Sequence, residues 1–392
     1  MLTRSGWLVA VGAAATVVAG RMFAVAELFV VGLTGLALCL LAVVWVRRPA
    51  PPLHAERVIH PRRVHLGGPS RVELRITNRG RRRSPVLTLR DPVEGTVGAR
   101  VAVGPLPPGV VHDAGYRLPT GRRGLLHIGP LRAELTDPFG LARRRFSVAD
   151  AAVLTVLPAV EDLAAVPLGG GRDEPLAGQA RRAVGVAAED FSTLRPYLVG
   201  DDLRRIHWPS TARSGDLLVR QDDARWQGHV TVVLDQRTGQ IDPGAFEAAV
   251  SAAASLVRSV ARRGDRVRLV LTDGTDTGLV DARRGADVLL EHLALAQQHP
   301  DGALPAGIGA NRHHGCLVIV TGWPHGADLA RLVADAVPGT AIIVSVHPPG
   351  EPLHQGAEAG APPGAMVVTT EAGRPFAPTW AAAFAHTRGH RR

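Results

Sequence analysis

Between Leu28 and Val46 the chain reads LFVVGLTGLALCLLAVVWV, a run without a charged side chain. A helix needs about 20 apolar residues to cross the hydrocarbon core of a bilayer, and in lipid every backbone amide must find its partner within the segment. A transmembrane helix meets both conditions, so this run constrains everything that follows it. An earlier run, Trp7 to Gly20, is shorter but extends through Met22 to Ala26 if Arg21 snorkels to the interface. Together the runs predict a transmembrane helical hairpin over residues 1–48. A cleaved leader would also place Arg4 ahead of an apolar stretch, and the long span would then remain as the anchor. Arg47, Arg48, Arg57, Arg62 and Arg63 lie just past the long span, whereas Arg21 in the short turn is offset by Glu27. Arginines collect on the cytoplasmic side of a membrane. Both ends of the hairpin are therefore expected in the cytoplasm, which makes the chain a multi-pass cell-membrane protein with cytoplasmic soluble domains.

After RRPAPPL come short alternating runs: VELRIT (Val72 to Thr77), VLTLR (Val86 to Arg90), ARVAV (Ala99 to Val103), then GYRL, LLHIG and AVLTVLP. Turn-forming clusters separate them every ~10 residues, which predicts an antiparallel β-sandwich over 49–160. Residues 161–188 have no consistent period and read as a flexible linker. Their Gly169, Gly170 and Gly171 are not a phosphate loop, because no Gly-Lys-Ser/Thr follows. From 227 to 372 strands alternate with helices. HVTVVLD is a buried strand, and Asp242 and Pro243 open a helix that ends at Gly264, with Phe246, Val250, Ala253, Val257 and Val260 on its apolar face. DRVRLVLTD, CLVIVTG and AIIVSV are further strands, which implies a mostly parallel sheet covered on both faces. Residues 373–392 read as a C-terminal tail. The expected fold class is thus α+β and multidomain.

Of 392 residues, 46% are hydrophobic, enough for several cores. The net charge of +10 comes entirely from arginine, with no lysine in the chain, and so looks like a coding bias towards this residue. Arg81 to Arg83 and Arg143 to Arg145 have no interleaved aromatics, so solvation or contact with anionic headgroups explains them and no nucleic acid is expected as a partner. Cys39 and Cys316 are not spaced for a disulfide framework or a zinc site.

Open parallel sheets place their sites at the carboxyl ends of the strands, which draws attention to Asp235, Asp273 and Thr321. In strand and helix order this region resembles the von Willebrand factor A domain, whose first strand ends in Asp-x-Ser-x-Ser and holds magnesium. Here Asp235 is kept, but Arg237 and Gly239 stand where the serines would be, and the later strand ends in Thr321 and Gly322 rather than Asp. A guanidinium at a ligand position repels a dication. Asp235 is therefore a degenerate metal-site position, and no metal or other cofactor is expected.

The segment 189–226 is the most polar of the chain. FSTLRPYLVGDDLRRIHWPSTARSGDLLVR resembles the family catalogued as domain of unknown function 58 at Phe191, Arg195, Tyr197, Gly200, Asp201, Arg204, Ile206, Trp208, Ala212, Arg213, Leu217, Val219 and Arg220. Upstream, Arg123, Gly124, Gly129, Asp137, Pro138, Phe139, Gly140 and Leu141 fit the same family. Pro209 replaces a basic residue common in the family, and Asp222 or Asp223 stands near a usual glutamate. Two roles are open for these residues. Asp201 and Asp202 can pair with Arg195, Arg204 or Arg213 in an internal network, with Tyr197 and Trp208 as half-buried anchors, or the same surface can be a docking patch. Catalysis by His207 with Ser210 or Thr211 is disfavoured, since both hydroxyls follow the histidine within a few residues instead of facing it across a cleft. The resemblance implies a non-enzymatic, membrane-anchored adaptor working with a MoxR-type AAA+ ATPase on an envelope-associated client. The alternatives are a metal-dependent or hydrolytic enzyme at the strand ends, and a purely structural cell-envelope protein.

Overall fold

The computed structural model describes residues 1–49, 52–166, 193–197, 206, 208–221, 229–300, 302–304, 315–336, 341–350 and 361–389. They fall into two compact units, 1–159 and 160–392.

The first unit begins with helices α1 (Arg4–Met22) and α2 (Ala26–Arg47), both long and apolar enough to cross a membrane. Thr3 caps α1 by accepting from the Gly6 amide, which satisfies one of the helix's orphan donors. The helices pack closely because their contact is made of small residues: a Cβ at Gly32 would lie 2.7 Å from the Ala13 carbonyl oxygen.

Ten strands follow: β1 (Leu53–His60), β2 (Arg63–His65), β3 (Arg71–Asn78), β4 (Leu87–Asp91), β5 (Ala99–Val103), β6 (Val111–Arg117), β7 (Gly124–Ile128), β8 (Leu131–Thr136), β9 (Arg143–Ala149) and β10 (Ala152–Leu157). They form sheets of order β1-β3-β6, β2-β10-β7 and β5-β4-β8-β9. Pairing is antiparallel except between β10 and β2, which run parallel. Alternation drives the folding here. On β3, Val72, Leu74 and Ile76 enter one core shared by all three sheets, while Arg71 and Arg75 stay outside.

A buried ion pair ties these sheets together. Arg57 of β1 donates from Nε and Nη2 to the two oxygens of Asp91 on β4, at 3.0 and 2.5 Å, and from Nη1 to the Ile128 and Asp150 carbonyls. Tyr116 of β6 donates to Asp91 at 2.6 Å. The side chains of Arg57 and Asp91 are only 3% and 1% exposed. Burial raises the Asp91 carboxyl pKa and outweighs the opposing hydrogen bonds from Tyr116 and Arg57. On β8, Glu134 meets Arg143, Arg145 and Arg90. Burial pushes its carboxyl up, but these arginines prevail and hold it below the usual range.

In the second unit, β11 (Thr193–Pro196) pairs antiparallel with β12 (Leu218–Gln221), with helix α3 (Trp208–Ser214) between them in the chain. The larger sheet contains β13 (His229–Leu234), β14 (Arg266–Leu271), β15 (Val280–Asp281), β16 (Gly315–Thr321), β17 (Ala341–His347) and β18 (Ala365–Glu371), in the order β15-β14-β13-β16-β17-β18. All its pairings are parallel except β14 with β15. The helices are α4 (Pro243–Arg263), α5 (Ala282–Leu295), α6 (Ala327–Ala334) and α7 (Phe376–Gly389). α4 starts at the Asp242 cap and stops where Gly264 turns left-handed at φ 76°, and its five expected core residues are buried.

Two boundaries differ from the sequence reading. The region read as a tail holds α7, and the linker's first residues, 161–166, bond to it and to α4 while 167–188 lie outside the described residues. Both oxygens of Glu161 accept from α7, from the Phe376 amide at 2.9 Å and the Ala377 amide at 2.8 Å. The Trp380 indole is fully buried and donates to the Ala164 carbonyl. The cap of α7 thus comes from a residue distant in the chain.

Two outcomes follow for the first unit. Arg57→Met leaves Asp91 buried without its partner and should lower stability by about 3–5 kcal/mol in denaturant melts of the detergent-solubilised chain, against about 1 kcal/mol for Tyr116→Phe; equal effects would remove the ion pair from its central place. A lowered carboxylate stabilises above its unfolded pKa, about 4.3 for glutamate, and loses that contribution as pH falls through the folded value. Glu134→Gln should therefore lower the melting temperature at neutral pH and converge with the parent chain in acid; a gap independent of pH contradicts this.

Candidate functional site

The order of the large sheet reverses between β13 and β16, since β13 connects onward to β14 on one side and the chain then returns to β16 on the other. At such a switch point the loops leave in opposite directions and a crevice opens beyond the carboxyl ends of the strands. A cleft of about 300 Å³ lies there, lined by Gln240, Asp242, Gly322, Trp323, His347 and Pro348 among others.

Asp235 follows β13 at this point and is 1% exposed. Arg237 closes it: Nε donates to Oδ1 at 2.8 Å and Nη2 to Oδ2 at 2.7 Å, while the Thr321 hydroxyl donates to Oδ2 at 3.2 Å. These bonds raise the guanidinium pKa despite its burial. Sequence reasoning brought Asp235, Arg237 and Thr321 together, and so does the fold. A magnesium ion needs carboxylate oxygens free to enter its octahedral shell. Both oxygens of Asp235 face a guanidinium, so the residues present do not fit a dication. Among the described residues no group of three or more His, Cys, Asp or Glu side chains is placed to hold one.

Asp273, one strand over, serves its own turn by accepting from the Thr275 amide at 2.8 Å. Burial pushes its carboxyl up, but hydrogen bonds from Thr275 and Gln236 and the charge of His299 leave it below the usual range. Gln236, fully buried, links the strand ends: its Oε1 accepts from the Asp273 amide and its Nε2 donates to the Gln297 carbonyl.

The cleft wall contains residues that sequence reasoning passed over. Trp323 is 37% exposed and meets His347 edge-on, with ring centroids 5.6 Å apart. The Ser345 hydroxyl donates to the Gly322 carbonyl at 2.7 Å, so its oxygen is left to accept from His347 Nε2 at 3.0 Å. With its hydroxyl hydrogen committed to the Gly322 carbonyl, Ser345 is not held as a nucleophile donating to a histidine base. Ser345 and His347 were legible as the end of the strand AIIVSV, had the strand-end rule been applied to that strand too.

In the family-like segment, Arg195 stands opposite Val219 and Arg220 opposite Leu194 in the β11–β12 register. Tyr197 is half-buried, and its amide donates to the Leu217 carbonyl. Ile206 and Val219 are buried, whereas Trp208 is 64% exposed and Arg213 is exposed on the same short helix. Trp208 is thus not the half-buried anchor of the internal-network reading; Ile206 takes the buried place. The Thr211 hydroxyl accepts from the Leu218 amide, a bond that closes the turn into β12. Gly200, Asp201, Asp202, Arg204 and His207 lie outside the described residues.

The closed carboxylate has a direct consequence. Millimolar magnesium should leave the melting temperature of the chain unchanged, whereas Arg237→Ser, which uncovers both oxygens of Asp235, should make it rise with magnesium. A magnesium-dependent rise in the parent chain would show the guanidinium to be displaceable.

No curated protein matches the chain. Among solved structures, the CARDB domain of a Pyrococcus furiosus protein, in complex with di-metal ions, is 19% identical over 27% of this chain and 92% of that one, with a TM-score of 0.21. Beta-glucosidase 3B from Thermotoga neapolitana, in complex with glucose, is 17% identical over 27% of this chain and 17% of that one, with a TM-score of 0.15. The stretch from β11 to β17 is matched by a family model: residues 193–346 are similar to the family described as "Protein of unknown function DUF58".

Proposed function

We propose that this protein is a non-enzymatic adaptor, anchored in the cell membrane by its helical hairpin with both ends in the cytoplasm. Its second unit is a von Willebrand A-like domain in this reading, and α3 is the docking element. The carrying observation is Trp208, 64% exposed at the start of α3 with exposed Arg213 one and a half turns on. Burying a tryptophan and an arginine concentrates binding energy at protein interfaces, and an exposed tryptophan contributes little to the fold that carries it. Two further features support an adaptor over an enzyme. The carboxylate at the strand ends is paired with Arg237, and the Ser345 hydroxyl beside His347 donates to the Gly322 carbonyl instead of to the histidine. The partner comes from the family resemblance alone: a MoxR-type AAA+ ATPase acting in assembly or maturation of envelope-associated proteins.

Co-purification from native membranes tests this. Trp208→Ala with Arg213→Ala should leave the melting temperature of the chain unchanged and reduce recovery of the ATPase at least tenfold, which corresponds to about 1.4 kcal/mol or more at the interface. If the ATPase is recovered equally with both forms, docking lies elsewhere. If neither form recovers it, a structural role in the envelope is the better reading.

A further inference from the structure

The turn from Asp137 to Ala142, between β8 and β9, is joined to the first residues of the chain. Thr3 donates from its amide to the Leu141 carbonyl at 2.8 Å and from its hydroxyl to the Gly140 carbonyl at 2.6 Å. The Arg143 amide donates to the Met1 carbonyl, and the Met1 ammonium to the Arg143 carbonyl. The approach is close enough to require glycine in α1: a Cβ at Gly6 would lie 2.0 Å from the Leu141 oxygen. Leu141 and Ala142 pack with Cys39, Ala42 and Val46 of α2 in one buried cluster.

The height of this turn follows from the helices. α2 has 22 residues and α1 has 19, and Cys39 contacts the Gly6 carbonyl, so the last two turns of α2 run past the start of α1. Counted from Ala26 at about 1.5 Å per residue, a hydrocarbon core of about 30 Å is not crossed until near Trp45. The start of α1, the Leu141 contact and the turn itself then lie at or below the headgroup layer. On its uncovered side this part of α2 is apolar, with Leu40, Leu41 and Val44 at 65%, 64% and 53% exposure. In the turn, Phe139 is 67% exposed, an apolar ring without a protein cover among the described residues.

The backbone of the turn is prepared for such a place. Asp137, itself buried, accepts from the amides of Phe139 and Ala142, and its carbonyl accepts from Gly140. Non-helical chain is tolerated at membrane depth only when its polar groups are satisfied by protein. The flanking charges also fit. Arg4, Arg47 and Arg48 are exposed at the helix ends, and Arg144 donates to the Arg48 carbonyl, so guanidinium groups stand where lipid phosphates would be.

We infer that the Asp137–Ala142 turn is a third membrane contact, dipping into the interfacial layer of the bilayer with Phe139 as its lipid anchor. The inference rests on α1 and α2 spanning the membrane and goes beyond it. With this contact the β unit is fixed in height and tilt at the surface instead of hanging from a single helix end.

Spin-label depth measurement on the full chain in anionic proteoliposomes tests it. Single cysteines replace Phe139, Leu33 in mid-α2 and Val97, which is 99% exposed on the β unit, in a Cys39→Ala, Cys316→Ser background. The ratio of oxygen to nickel-chelate accessibility at 139 should exceed that at 97 several-fold and fall short of that at 33. If 33 reports lipid while 139 matches 97, the turn stands in water and the inference fails with the hairpin reading intact. If 33 also matches 97, the helices do not span the bilayer and both readings fall.

Discussion

A buried carboxylate is tolerable only when its oxygens are matched by donors, and at Asp91, Glu134 and Asp235 those donors are guanidinium groups. That constraint organises both units. Arg57 takes both oxygens of Asp91 and also reaches the Ile128 carbonyl, so one side chain joins strands of three different sheets. Arg237 does the same to Asp235 at the strand ends of the second unit. A planar fork can satisfy both lone-pair directions of a carboxylate at once, which a lysine could not. The chemistry that builds the β unit is thus the chemistry that closes the strand-end site.

The same logic of satisfied polar groups explains the turn beside the hairpin. Asp137 would be a liability next to lipid if its carboxylate were bare, but it is 4% exposed and spends both oxygens on amides of its own turn. The chain's first residues supply the remaining bonds as a short bridge from Leu2 to Ala142. An Asp-Pro-Phe-Gly-Leu sequence read in isolation is only a turn. Paired with Thr3 and packed on α2, it becomes the joint that holds a β unit to a helical hairpin.

What was legible in the sequence was whatever a local window contains. The apolar helix pair, the alternating strand β3 and the limits of α4 at Asp242 and Gly264 follow from charge, period and capping. α7 was not legible. Pro378 falls in its first turn, where the missing amide costs nothing, yet in a sequence window a proline argues against a helix. Its cap is Glu161, more than two hundred residues away, and its core residue Trp380 bonds to Ala164. β8 and β9 were missed for a related reason, since Glu134, Arg143 and Arg145 break the apolar rhythm until the fold pairs them. At the candidate site, Asp235 with Arg237 and Thr321 could be read from strand ends alone, whereas the Trp323–His347 wall needed β16 and β17 to be placed side by side.

The closed site bears on what the strand-end cleft can select. With Asp235 committed to Arg237, electrostatic capture by a bound cation is lost, and what faces the opening is an edge-on aromatic pair, the backbone of Gly322 and the Asp242 cap of α4. Such a wall combines ring contact with the polar groups of Gln240, Asp242 and Gly322, and a volume of about 300 Å³ lies at the small end of the range for ligand pockets. The guanidinium therefore takes up both carboxylate oxygens that a cation would need, at the strand ends where the topology opens a crevice.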